Sequence, residues 1–131
     1  MIVVRTRRIV AQALVEFALV VPLLVGLSVG IVQLMLYAHA RDVVISSVQE
    51  GARLAAEDGR GLDEGYARTR AMLTAGLGTT LEPLQIDGSL DADSVRVRVD
   101  AGLVPILPLG TSLPIHAEAA VARERFRPRG T

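Results

Sequence analysis

The 131-residue sequence contains no cysteine and no tryptophan, and its aromatic residues are limited to two tyrosines and two phenylalanines. Without cysteine the chain can form neither a disulfide framework nor a thiolate metal site, so any exported part must be stabilised by packing or by partners. Lysine is also absent, and the 14 arginines are balanced by 14 acidic residues. This balance leaves no overall basic field, and we therefore expect no nucleic-acid partner.

The sequence also lacks the motifs that usually carry catalysis. It has no P-loop, no GxGxxG, no HExxH, no GxSxG elbow and no paired Cys/His ligands. The two histidines, His39 and His116, are far apart in the sequence and have no other metal-ligand residues in a binding pattern around them. We therefore expect His39 to be an interfacial side chain and His116 a strand-surface side chain, and neither to be a metal ligand. We predict that the protein is not an enzyme, holds no cofactor or metal, and takes no small-molecule substrate.

What the sequence does have is one long apolar run, FALVVPLLVGLSVGIVQLML, from Phe17 to Leu36. About 20 uncharged residues, at about 1.5 Å each, span the roughly 30 Å hydrocarbon core of a bilayer. A buried core helix is the alternative, but the rest of the chain offers too little apolar surface to cover such a helix. Because Arg5, Arg7 and Arg8 precede the run, the positive-inside rule predicts a single-pass protein with a cytoplasmic N-terminus.

Two features bear on how this helix is built and processed. Pro22 removes a helical donor and is predicted to kink the helix near Ala18. A secretory signal peptide cut at Ala38-His39-Ala40 is a further alternative. The apolar run is longer than the usual signal region, however, and the presence of Glu16 and Pro22 is unusual for one.

A second processing pattern lies just before the apolar run. A short basic leader is followed by the small residue Ala11, and an isolated Glu16 stands five residues later, directly before Phe17. This pattern resembles a type IV prepilin site. The resemblance implies that a prepilin peptidase cuts between Ala11 and Gln12 on the cytoplasmic side, although alanine stands where glycine is commoner.

Three stretches together resemble the TadE-like family: AQALVEFALVVPLLVGLSVGIVQL, VISSVQEGARLAA and SVRVRVDAGLVPILPLGTSLPIHAEAAVARE. Members are minor pseudopilins of tight-adherence (Flp-type) pilus systems. The resemblance implies residence in the cytoplasmic (inner) membrane, contact with lipid, and partners that include the prepilin peptidase and other pilus or pseudopilin subunits. It also implies that Glu16, with Phe17 beside it, takes part in assembly, and we expect the carboxylate to recognise the N-terminal amine of a partner helix. The alternative is an uncleaved single-pass tether for a binding module unrelated to pili.

After the membrane, apolar residues at spacings of three and four predict that the helix continues as an extracytoplasmic rod to about Glu57, where Gly59 and Gly61 end it. Within this rod, Glu50 and Arg53 are expected to form a charge pair on a solvated face. A second helix is predicted from about Glu64 to Ala75 with Asp63 as its N-cap, and Tyr66, Leu73 and Leu77 on the side that packs.

Beyond Pro83 the apolar period changes to two, which predicts half-buried strands. Val95, Val97 and Val99 alternate with Arg96 and Arg98, and 84–86 is expected to add a short third strand. In the later segment the apolar residues alternate with His116 and Glu118; they are Leu113, Ile115, Ala117, Ala119 and Val121. Antiparallel pairing would place Glu118 near Arg96 or Arg98 on the exposed face. The predicted fold is therefore α+β, with a small antiparallel sheet packed on the extracytoplasmic part of the long helix.

The chain thus divides into a leader at 1–11, a transmembrane helix and rod at 12–57, a small extracytoplasmic domain at 58–122 and a basic tail at 123–131. Between the last two strands, Leu103–Gly110 is apolar and contains two prolines, which exclude a regular central strand. This connection either folds back onto the rod or contacts the membrane surface or another pilus component. The tail arginines are expected to be solvated, with weak attraction to acidic partners or headgroups as the alternative.

Overall fold

The structure is a computed structural model that describes residues 2–107 and 110–123, with side chains from Val10 onward. Its elements are α1 (Ile2–Ala56), α2 (Leu62–Leu77), β1 (Leu81–Leu90), β2 (Ser94–Leu103) and β3 (Leu113–Ala122). The predicted α+β class is confirmed. Expectations that concern Pro108, Leu109 and the arginines after Arg123 lie outside the described residues, as do the leader arginine side chains.

The chain divides into two compact units, an N-terminal unit that ends at Met35 and a C-terminal unit that begins at Leu36. The N-terminal unit is the first part of α1. This helix begins at Ile2, well before the predicted start at Gln12, because no glycine or proline precedes Pro22 to interrupt it. The predicted leader is therefore helical up to the proposed cleavage site. The helix also continues through Pro22.

The C-terminal unit contains the end of α1, the helix α2 and a three-stranded antiparallel sheet in the order β1-β2-β3. The central strand β2 pairs Val97 with Ala119 and Val99 with Ile86. One face of the sheet packs against the helices. The core is formed by buried side chains: Ala40, Val44, Val48, Ala52, Ala55, Ala56, Leu73, Leu81, Val95, Val97, Val99, Ala101, Leu103 and Ile115.

The predicted inward face of α2 is confirmed. Leu73 is buried, while Tyr66 and Leu77 are half-buried against the same core. The start of α2 differs from the prediction, because Gly61 and not Asp63 is its N-cap. The backbone N–H of Gly61 donates to the Glu64 carboxylate at 3.0 Å, so the acidic side chain caps the helix from inside its first turn.

Strand β1 runs over ten residues and is much longer than the predicted 84–86 segment. Pro83 lies within this strand, which is at the edge of the sheet, and an edge strand tolerates a proline. Close packing explains the glycine at position 88, because a Cβ at this position would lie 2.4 Å from the Arg96 carbonyl oxygen and 3.1 Å from the Tyr66 hydroxyl. The segment is therefore an edge strand that carries a glycine where the backbone of β2 and a helix side chain come close.

Helices α1 and α2 cross closely at two glycines. A Cβ on Gly51 would lie 1.9 Å from Thr69 Oγ1 and 2.8 Å from the Gly65 carbonyl oxygen, and a Cβ on Gly65 would lie 2.8 Å from the Ala55 methyl group. Thr69 is buried, and its hydroxyl donates to the Gly65 carbonyl at 2.9 Å. The two helix backbones thus approach as closely as small residues allow.

This crossing also changes the interpretation of the Glu50–Arg53 segment. The expected charge pair within α1 is replaced by an ion pair between helices, in which the Glu50 carboxylate lies 3.5 Å from the Arg68 guanidinium of α2. Gly51, between the predicted partners, is buried in the helix contact. The segment therefore has a packing role that its charges do not indicate.

The two ends of the C-terminal unit differ in charge. At the Tyr37 end, the Tyr37 hydroxyl donates to the Pro114 carbonyl at 3.0 Å, and the Val104 N–H donates to the Thr80 carbonyl at 3.0 Å. The chain around these contacts is uncharged from 71 to 81 and from 101 to 115. Segments 57–64 and 87–93, at the opposite end, hold seven acidic residues and one arginine.

The acidic end affects the half-buried phenol of Tyr66. Burial first, and then the negative charges of Asp87 and Asp63, raise the pKa of Tyr66 above its ordinary value of 10.0. A charge on β1 and a charge on α2 act on the same side chain, so the two acidic segments lie at the same end of the unit. We refer below to the Tyr37 end and the acidic end.

Candidate membrane-anchoring and processing segment

The first half of α1 presents apolar side chains to its surroundings on every side. A window of 18 residues in this helix is apolar enough to cross a membrane, and none of that window is buried within the protein. Fifteen large apolar side chains are exposed: Val10, Leu14, Val15, Phe17, Leu19, Val20, Leu23, Leu24, Val25, Leu27, Ile31, Val32, Leu34, Met35 and Leu36. A helix that is apolar all round needs a protein core or a bilayer to cover it. This feature fits a membrane-anchored protein.

Ser28, one of the two polar side chains inside the apolar run, fits the same surroundings. Ser28 Oγ donates to the Leu24 carbonyl at 2.8 Å, so its hydroxyl is satisfied within the helix. Pro22 is the only residue of the run without a backbone donor, since proline lacks the N–H group. The kink predicted near Ala18 stays a prediction.

The predicted processing residues lie together at the start of this exposed segment. Gln12 and Glu16 are four residues apart in α1 and therefore share a face, and Ala11, Val15 and Leu19 flank them. Phe17 is on the adjacent side of the helix and is 68% exposed. The helix thus brings a small residue, an amide and a carboxylate to one accessible strip.

The Glu16 carboxylate makes no ion pair or hydrogen bond with any residue whose side chain the structure describes. An ionisable group next to an apolar helix is costly in a membrane unless it finds a partner. The peptide bond between Ala11 and Gln12 lies within α1, where its groups belong to the helical hydrogen-bond ladder. A protease that binds an extended chain can reach this bond only after the first turns of the helix open.

The outer face of the sheet carries a polar surface, of which only one contact was predicted from the sequence. Arg96 Nε is 3.2 Å from the Glu118 carboxylate, which confirms the predicted proximity of these residues. Asp100 Oδ2 is 3.0 Å from Arg98 Nε, and Asp100 Oδ1 contacts His116 Nδ1. The Asp100–His116 pair could have been found by extending the period-two pattern across the strand register, in which these residues are direct partners.

The surroundings of Asp100 determine its ionisation. The hydrogen bond to His116, followed by the charge and hydrogen bond of Arg98, lowers the pKa of the Asp100 carboxyl below its ordinary value of 3.8. His116 is exposed on β3, as expected for a strand-surface side chain. The described residues contain no group of three or more His, Cys, Asp or Glu side chains that could hold a metal ion.

Comparison with known proteins gives one match. Residues 11–53 match the family described as TadE-like protein, in agreement with the resemblance noted from the sequence. The matched range begins at the proposed cleavage site, contains the whole apolar run and ends in the helix crossing, and it covers about a third of the chain. No curated protein and no solved structure matches the chain.

Proposed function

We propose, from the match of residues 11–53 to the TadE-like protein family, that the chain is a minor pseudopilin of a tight-adherence (Flp-type) pilus system. In this proposal the apolar part of α1 anchors the protein in the cytoplasmic membrane with its N-terminus inside. The C-terminal unit lies outside the cytoplasm and contacts other pilus or pseudopilin subunits. The protein acts by assembly and not by catalysis, and it needs no cofactor.

The observation that carries the proposal is the order of features within the matched range. Ala11, Gln12 and Glu16 form one exposed strip, and the apolar surface of α1 begins beside this strip. A prepilin peptidase requires a processing site of this kind at the cytoplasmic edge of a membrane helix, as the family resemblance implies. A simple membrane tether would need only the apolar helix.

Glu16 has a specific role in this mechanism. Cleavage after Ala11 would create a positively charged amine on Gln12, one helical turn before Glu16. The carboxylate can pair with this amine or with the corresponding amine of a neighbouring subunit, and either pairing removes the cost of a lone charge beside the hydrocarbon. Pairing between subunits would set the register of their helices.

The decisive experiment is an intact-mass measurement of the membrane-extracted protein from cells with and without a prepilin peptidase. The expected result is loss of residues 1–11 only when the peptidase is present. Ala11→Lys should leave the leader attached. Retention of Met1 in peptidase-containing cells, or a mature chain that begins at Arg41, would show that the chain is not processed as a pseudopilin.

A matched variant tests the helical geometry of the cleavage site. Ala11→Gly lowers helix stability by about 1 kcal/mol, which raises the population of helix opened at the cleavage site about fivefold. Cleavage of this variant in a time course should therefore be faster than that of the natural chain. An equal or slower rate would indicate that helix opening does not limit cleavage.

A further inference from the structure

The apolar connection after β2 is exposed. The sequence alone did not decide whether this connection contacts the rod, the membrane surface or another protein. Val104 is 49% and Ile106 is 54% exposed, although they belong to a unit whose other large apolar side chains are mostly buried or half-buried. In the described part of the C-terminal unit, only Leu36 and Leu90 are comparably exposed. The segment 104–107 therefore does not fold back into the core of its own unit.

One hydrogen bond holds the start of this segment at the Tyr37 end, and a second one lies beside it, between α1 and β3. The Val104 N–H donates to the Thr80 carbonyl at 3.0 Å, at the start of the segment. The Tyr37 hydroxyl donates to the Pro114 carbonyl at 3.0 Å, across the strand ends that the segment connects. Tyr37 is the residue that directly follows the apolar run, so the segment is fixed close to the point where the chain leaves that run.

We infer that residues 104–107 insert Val104 and Ile106 into the interfacial layer of the same phospholipid bilayer that α1 crosses. This inference rests on the proposed membrane anchorage of α1. The segment would act as a second, shallow contact, at the depth of roughly 5–10 Å that interfacial apolar groups reach.

Charge supports a lipid partner. The chain is uncharged from 71 to 81 and from 101 to 115, so no charged side chain of these segments must be desolvated at the membrane surface. Arg41 lies one helical turn beyond Tyr37, where a guanidinium can reach lipid phosphates. The acidic end is separated from the segment by the ten residues of β2, which is about 30 Å and several Debye lengths at physiological salt. The seven acidic residues of the acidic end are thereby kept away from anionic headgroups, and Glu82, at the start of β1, is the acidic residue that lies at the Tyr37 end.

The chain is well suited to a direct test because it contains no tryptophan. Three single-tryptophan variants of the full chain, Ile106→Trp, Leu90→Trp and Leu27→Trp, are reconstituted into vesicles of phosphatidylethanolamine and phosphatidylglycerol. A parallel set contains phospholipids brominated on the acyl chains, which quench tryptophan on contact. Leu90 is the matched control, because it is 41% exposed but lies at the acidic end.

Leu27→Trp reports anchorage, and its quenching shows that α1 is inserted. With that established, the inference requires blue-shifted emission and strong quenching of Ile106→Trp and neither effect for Leu90→Trp. Unshifted, unquenched emission of Ile106→Trp would overturn it. Blue-shifted emission without bromolipid quenching would also overturn it, since the segment would then contact protein. Failure of Leu27→Trp to be quenched would instead refute the membrane anchorage itself.

Discussion

The substitution Gly51→Ala tests the close crossing of α1 and α2. In an isolated helix this change is favourable by about 1 kcal/mol, because alanine is the better helix former. In this chain the added methyl group would lie 1.9 Å from Thr69 Oγ1 and 2.8 Å from the Gly65 carbonyl oxygen. The threonine can change rotamer, but the carbonyl belongs to the α2 backbone, so the helices must separate.

Overpacking of this kind costs typically 1–3 kcal/mol, and opening the crossing weakens other core contacts as well. We expect a net loss of about 1–2 kcal/mol in the free energy of unfolding of the C-terminal unit despite the gain in helix propensity. At a urea dependence of about 1–2 kcal/mol per molar, the unfolding midpoint should fall by about 1 M. Pulse proteolysis of the full chain in detergent micelles across a urea series measures this midpoint.

Gly30→Ala is the matched control, since it makes the same change in the same helix where no atom lies within 4 Å of the added Cβ. It should leave the midpoint unchanged. The double variant Gly51→Ala/Thr69→Ala should be less destabilised than the sum of its single variants, because removing Thr69 Oγ1 removes the shorter of the two clashes. A Gly51→Ala chain as resistant to urea as the natural one would refute the close crossing.

Three further predictions concern the sheet and the processing site. Val97→Asp should unfold the C-terminal unit or lower its urea midpoint severely, because an unpaired carboxylate at this fully buried position costs several kcal/mol. Arg96→Ala, on the outer face, should leave the midpoint nearly unchanged. Equal tolerance of both substitutions would contradict the assignment of the two faces. Because the pKa of Asp100 is lower in the folded state, its stabilisation is present above its ordinary value of 3.8 and is lost as pH falls through the folded value. Acid unfolding curves should therefore be less steep for Asp100→Asn below about pH 4, and identical curves would contradict the Asp100 contacts. Glu16→Gln should still insert into membranes but lose co-purification with other pilus components, and normal assembly would show that Glu16 is merely interfacial.

The sequence was sufficient to predict those elements whose side chains follow one period. The alternation at Val95, Val97 and Val99 identified β2 and its buried face, and the same period placed Glu118 beside Arg96. The apolar run identified the first half of α1. In each case a single physical requirement, burial on one face or coverage on all sides, determines the residue type at every position.

Other features could not be predicted because they depend on contacts between distant segments. Gly88 resembles a strand breaker until the close approach of Arg96 and Tyr66 is known. Gly51 resembles a helix-weakening residue between two charges until α2 is placed against it. The processing residues Ala11, Gln12 and Glu16 were identified from a short pattern, and the structure adds only that they share an exposed helix strip. Their partners are other molecules, which a single chain does not contain.

The arrangement of the core has a consequence for the timing of folding. Val44, near the start of the C-terminal unit, and Ile115, in its last strand, belong to one buried cluster. The unit therefore cannot complete its core until β3 has joined it. Because β3 follows the other elements of the unit in the chain, it is the last of them to be synthesised and, in the proposed orientation, the last of them to be exported. Under that proposal, export through β3 precedes the completion of the core, and the unit crosses the membrane before it is fully folded.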